Sequence, residues 1–127
     1  MKIWKYSGIL LIATGILHTI VAIAMGIDVY AEMIKDGLFN SVKEDPMKGF
    51  VFWFFICGLL IILLGYVTHD YIKKTQSPIP TSIGYSILLL SILGCIVEPI
   101  SGFGLFIPQA LIIIFSNKKK HLQAKVK

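Results

Sequence analysis

Glu98-Pro99-Ile100-Ser101-Gly102 interrupts an apolar run that would otherwise extend from Ile83 to Phe115. It sets a carboxylate and a hydroxyl among residues that seek hydrocarbon, and Pro99 removes a backbone donor. The run therefore reads as two helices joined by a turn. The second helix is short: from Ser101 to Phe115 it rises only ~21 Å, against a bilayer core about 30 Å thick. If Phe115 marks the inner boundary, Ser101 lies roughly 9 Å below the outer one. The turn is expected inside the membrane.

The rest of the chain has the matching composition. Of 127 residues, 56% are hydrophobic and 15% charged, and the mean hydropathy is +0.80. A soluble domain of this size has too little interior for so much apolar side chain, so the excess is expected to face lipid. The net charge is +5, carried by lysines. They collect in short segments between apolar runs instead of spreading over one face. That argues against nucleic acid as a partner and for the surface of a lipid bilayer.

Taken in order, the chain predicts four membrane spans, at about 6–27, 49–68, 82–97 and 102–116, in an all-α antiparallel bundle. Lys2 and Lys5 beside Trp4 and Tyr6 make an interfacial start. Ala22-Ile23-Ala24 resembles a signal-peptide cleavage site. Losing the first span would put Lys73-Lys74 and the lysine-rich tail on opposite sides, so it is read as a retained span. The segment 28–48 is an acidic loop in which Asp28, Glu32 and Asp36 recur every four residues. That spacing stacks them on one helical face, as an extension of the first helix or an interfacial helix. Gly37 is placed to end it. A solvated face is the default for this stripe, since nothing fixes a coordination geometry for a cation.

Asp45-Pro46 marks a turn before the second span. That span opens with the aromatic run Phe50 to Phe55 and ends at His69-Asp70. Pro78 and Pro80 stiffen the next loop, and Thr81 or Ser82 is expected to cap the third helix. Ser116 and Asn117 end the fourth span. The loop 28–48 holds three lysines against five acids, and the other nine lysines lie in the remaining polar segments. The positive-inside rule then puts both termini in the cytoplasm of a multi-pass cell-membrane protein.

Counting helical rise puts His18, Glu98 and Ser101 in one layer of the outer half, His18 and Glu98 each about 20–24 Å above the inner boundary. Irregular backbone at that depth must face protein or a wet cavity. A charged Glu98 there would cost roughly 3 kcal/mol, which His18 or protonation would relieve. Gly8, Gly15, His18 and Ala22 form one stripe on the first helix, and Gly84, Ser91, Gly94 and Glu98 form another on the third. Small residues at this spacing let membrane helices approach. The two stripes match, so these helices are expected to present them together.

The candidate ligand-binding residues are His18, Glu98, Ser101 and Thr14. Each has a plainer reading. His18 can be a structural ring bonded to Thr14 or a carbonyl, Glu98 a boundary carboxylate, and Ser101 turn chemistry. Gln109, a mid-helix amide after Pro108, can lock two helices. Cys57 and Cys95 sit apart in apolar runs and read as inert thiols. No catalytic triad, phosphate loop, dinucleotide fingerprint or multi-histidine spacing occurs in the sequence, so no cofactor or metal is expected. His69, the one obvious second haem ligand to His18, lies at the wrong depth.

Trp4-Lys5-Tyr6-Ser7-Gly8 with Gly15-Ile16-Leu17-His18, Asp36-Gly37-Leu38-Phe39-Asn40, and Pro99-Ile100-Ser101-Gly102-Phe103 together resemble a family of small four-span bacterial membrane proteins of unknown function. The resemblance covers nearly the whole chain and implies the four-span architecture, but no reaction. Glu98 lies outside the matched motifs. In length and span count the chain is also similar to small multidrug transporters, which carry a glutamate in the first helix where this chain has His18.

Two functions stay open, with a third behind them. The first is binding or transport of a small or lipophilic ligand in an outward-facing pocket, with His18 and Glu98 as a titrating pair. The second is an accessory or structural protein contacting another membrane protein or a second copy of itself. The third is an enzyme on a lipophilic substrate with His18 as acid/base, against which the missing motifs count.

Overall fold

The computed structural model describes residues 3–43 and 45–125, those from 117 onward by their backbone alone. It is all-α. A 3-10 turn, Ile3–Tyr6, leads into α1 (Ser7–Lys35), followed by α2 (Pro46–Thr75), α3 (Thr81–Val97), a second 3-10 turn at Gly102–Leu105, and α4 (Phe106–Lys125). No strand occurs among the described residues. The stretch Ile3–Lys35 and α2 are long and apolar enough to cross a membrane. Thr81–Val97 and Gly102–Ser116 are apolar but shorter.

The helix ends follow local chemistry. The acidic segment continues α1, carrying Asp28 and Glu32 on its exposed side while Met33 is buried. Gly37 stops the helix: it adopts φ +75°, a left-handed conformation that favours glycine. Its N–H donates to the Ile34 carbonyl at 3.2 Å. Asp45 caps α2, its carboxylate accepting from the N–H groups of Met47 (2.9 Å) and Lys48 (3.2 Å). Pro46 occupies the first turn, where a missing N–H costs nothing. Lys48 Nζ reaches across to Asp36 at 2.6 Å and ties the two ends of the connection together.

One expected cap is absent. Pro80 is the N-cap of α3 and no side chain bonds its first turn, so neither Thr81 nor Ser82 plays that part. Both are already inside the helix. α3 does end at Val97, with Glu98 at its C-cap, as the proline after it requires. α4 runs beyond Ser116 and Asn117 to Lys125. The side chains of its basic tail, like Lys2, lie outside the described residues.

The helices pair as two antiparallel hairpins. A Cβ on Gly8 would lie 2.5 Å from the His69 backbone nitrogen, and one on Gly15 would lie 2.7 Å from that of Ile62. Seven residues up α1 therefore match seven residues down α2. From the other side, a Cβ on Gly65 would lie 2.6 Å from the Ile12 nitrogen. The two backbones approach so closely only because these side chains are missing. α3 and α4 repeat the device, with Gly84 against Ala110, Ile113 and Ile114, and Gly94 under the Phe103 ring.

The stripes thus do not face each other as expected. That of α1 packs on α2, and that of α3 packs on α4. The hairpins meet along α1 and α4. At one end Ile72, Ile79 and Ile113 form a buried cluster against Trp4 and Ile87.

Candidate functional site

Three polar side chains, Thr14, His18 and Gln109, lie near where the α1–α2 hairpin meets α4. Ser7, Leu11, Thr14 and His18 follow one another at helical spacing along one side of α1. Ser7 and Leu11 are almost completely buried. Thr14 donates to its own helix, to the Leu10 carbonyl at 3.0 Å. It also accepts from Gln109 Nε2 of α4 at 2.7 Å. The second amide hydrogen of Gln109 goes to the Leu105 carbonyl at 3.1 Å. Gln109 Oε1 is buried and has no partner.

This bond sets the register of α1 against α4. With Thr14 opposite Gln109, His18 comes opposite Leu105, one turn along each helix. His18 leans toward α2, and its Nε2 lies 3.0 Å from the Phe54 carbonyl. A carbonyl only accepts, so Nε2 carries a proton and is the donor. The ring packs on Phe54 with centroids 4.3 Å apart. Gly58 makes the room, since a Cβ there would lie 3.2 Å from His18 Cδ2. The aromatic run does the same elsewhere: Phe50 stacks on Phe54, and the Tyr30 hydroxyl donates to the Val51 carbonyl at 3.1 Å.

The candidate residues separate into two groups. Thr14 and His18 share the α1 face, and Thr14 meets Gln109. Glu98 and Ser101 belong to the turn between α3 and α4. Ser101 donates its hydroxyl and its N–H to the Glu98 carbonyl, at 2.6 and 3.1 Å. That closes the turn and occupies the serine. The Glu98 side chain is exposed, and no hydrogen bond or ion pair joins it to His18 among the described residues. The register puts Ser101 only about one turn, ~6 Å, beyond the level of His18. No hydrogen bond joins the two among the described residues.

Sequence reasoning gave Gln109 its helix-locking part but not its free acceptor. It also passed over two further unpartnered atoms, Ser7 Oγ and His69 Nδ1, both buried. They flank the Gly8–His69 contact. A lone amide or hydroxyl on an apolar helix is the only signal such residues leave in a sequence. Asp70, beside His69, turns outward and pairs with Lys74 at 2.8 Å. Among the described residues no three His, Cys, Asp or Glu side chains cluster to hold a metal. Cys57 and Cys95 are free thiols.

Fold and site together define a small all-α protein with two helices able to cross a membrane and a polar joint between its hairpins. The chain belongs to a family of unknown function (DUF6463), whose model matches residues 2–120. No curated protein and no solved structure matches it.

Proposed function

We propose that this chain is a four-span protein of a bacterial cell membrane, with both termini cytoplasmic, that binds a small lipophilic ligand in the corner between α1, α2 and α4. Two short apolar helices joined by a tight turn, and the confinement of most lysines to three segments, support four spans and this orientation. One observation carries the ligand reading. Gln109 Oε1 is a buried acceptor without a donor, and His18, one turn above Thr14, leaves a second ring nitrogen free. Buried polar groups are nearly always satisfied, and one that is not calls for an occupant. Glu98 and Ser101 then shape the turn beside the corner and do not hold the ligand.

The test is extraction. The protein is purified in lipid nanodiscs, and bound small molecules are compared between wild type and His18→Phe. A lipophilic compound enriched in the wild type and depleted in the variant is expected. Identical extracts would contradict the reading.

A second reading, an accessory protein contacting another membrane protein, draws support from α3. It packs chiefly on α4 and leaves Leu89, Leu90, Leu93, Ile96 and Val97 uncovered. That reading expects a membrane partner to co-purify and His18→Ala to be tolerated. A strictly solitary protein would count against it.

A further inference from the structure

α1 and α2 keep one register along their whole contact. Gly8 lies against His69, Gly15 against Ile62, Thr19 against Gly58 and Gly26 against Val51, so each step up α1 is one step down α2. Extended to the hairpin ends, that register sets Ile27 level with Phe50 and Ser7 level with Asp70. No Lys, Asp or Glu occurs in 6–27 or in 49–69. The two uncharged stretches therefore coincide, and the rise from Ser7 to Ile27 is ~30 Å, the thickness of a hydrocarbon core.

Just beyond the Ser7–Asp70 edge, the same register brings Lys5 within one residue of Lys73, ~2 Å in height. Both are exposed. In an antiparallel pair, the residue after a contact residue turns to the same side of the seam on each helix. Ile9 and Ile16 follow Gly8 and Gly15; Leu59, Tyr66 and Lys73 follow Gly58, Gly65 and Ile72. Lys5 stands one turn before Ile9, at the end of this stripe, with Nζ 5.9 Å from the Trp4 ring. Thr14, the residue before Gly15, turns the other way, to Gln109 of α4. The side with the lysines is left open: Ile9, Ile16, Leu59 and Tyr66 are all exposed.

Charge at this end asks for an anion. The one acid here, Asp70, is taken by Lys74 at 2.8 Å. The other acids belong to the opposite end of the hairpins, at 28–45 and at Glu98. Neither Lys5 nor Lys73 forms an ion pair among the described residues. Two like charges held level repel, and a phosphate accepting from both relieves the repulsion. A soluble anion would use the charge alone. The apolar stripe climbing from the lysines into the uncharged zone fits an acyl chain as well.

We infer that this seam holds an anionic phospholipid, its phosphate between Lys5 and Lys73 and an acyl chain along Ile9, Ile16, Leu59 and Tyr66. This rests on the membrane-spanning part of the reading above and is independent of the corner at Gln109.

The full chain is purified in mild detergent and offered equimolar phosphatidylglycerol and phosphatidylcholine with the same acyl chains. Native mass spectrometry then weighs it with its bound lipid. Near a membrane surface each lysine is worth about fivefold in affinity for an anionic lipid. Wild type is therefore expected to retain phosphatidylglycerol over phosphatidylcholine by roughly tenfold or more. Lys5→Gln/Lys73→Gln is expected to lose most of that preference. Lys118→Gln/Lys119→Gln, which removes the same charge from the tail, is expected to keep it. Equal retention of the two lipids by wild type, or equal loss in both double variants, overturns the site. Displacement of the phosphatidylglycerol by an equal concentration of inorganic phosphate assigns the lysines to a free anion and overturns the lipid. Flotation with liposomes is run alongside. A chain that does not float removes the membrane reading as well; one that floats without lipid preference removes this inference alone.

Discussion

Thr14 and Gln109, ninety-five residues apart in sequence, are joined at 2.7 Å, a polar bond that ties the α1–α2 hairpin to α4. Each partner enters it under constraint. Thr14 has already given its proton to Leu10, and Gln109 has its other amide hydrogen on Leu105. The bond therefore has one direction only, and its cost falls on Gln109 Oε1.

That asymmetry predicts an order of stabilities. Thr14→Val removes the acceptor and strands one Gln109 hydrogen, so it should destabilise the protein by about 1–2 kcal/mol. Gln109→Leu removes the bond and the stranded oxygen together, and should cost less, about 0–1 kcal/mol. Unfolding in mixed micelles with increasing denaturing detergent would rank them. The reverse order would contradict the assigned hydrogen bonding.

Glycine substitutions separate contact from open space. Gly8→Ala drives a Cβ into the His69 backbone and Gly15→Ala drives one into that of Ile62. Each should cost about 1–3 kcal/mol, as overpacking does. Gly102→Ala meets nothing and should stay within about 0.5 kcal/mol of wild type. Thermal unfolding of the three purified variants checks this. A neutral Gly8→Ala would mean the helices do not approach as described.

His18 should carry a proton on Nε2, which donates to the Phe54 carbonyl. Its nitrogen chemical shifts would then show Nε2 as a protonated, pyrrole-like atom. His18→Phe keeps the packing on Phe54 but loses the bond to its carbonyl, at a cost of about 1 kcal/mol. An unprotonated Nε2 would remove the bond to Phe54 from the account.

Asp45 holds the start of α2 through two N–H bonds. Asp45→Ala should lower stability by about 1 kcal/mol, the usual worth of an N-cap. Asp45→Asn, which keeps an acceptor oxygen, should retain most of it. If both variants match wild type, the cap is not formed in solution.

Much of the fold was legible in the sequence because helix ends have local causes. Gly37 ends α1 through its own backbone, and Glu98-Pro99 ends α3 through a proline. The partners of the helices were less legible. Gly8 and Gly15, Gly58 and Gly65, and Gly84 with Ser91 all recur at seven residues, so spacing alone says which face packs and not against what. The short connections at 36–45 and 98–105 decide it, because they make neighbours in sequence into neighbours in space.

The directions of the candidate side chains were not legible in the sequence. Counting rise along a helix puts His18 and Ser101 within about one turn of each other. It says nothing of where a side chain points once the helix has ended, and Glu98 sits at the cap of α3, where the helical phase is lost. Gln109 stood out as a lone amide, but its stranded oxygen depends on the hydrogens of Thr14 and the carbonyl of Leu105, which no single stretch of sequence contains.

The central claim is that the Thr14–His18–Gln109 corner is occupied. An experimental structure in lipid, at a resolution that orients the Gln109 amide, tests it most directly. The account predicts density not belonging to the chain about 3 Å from Gln109 Oε1. A dry, closed corner with Oε1 bonded to a protein donor would contradict it.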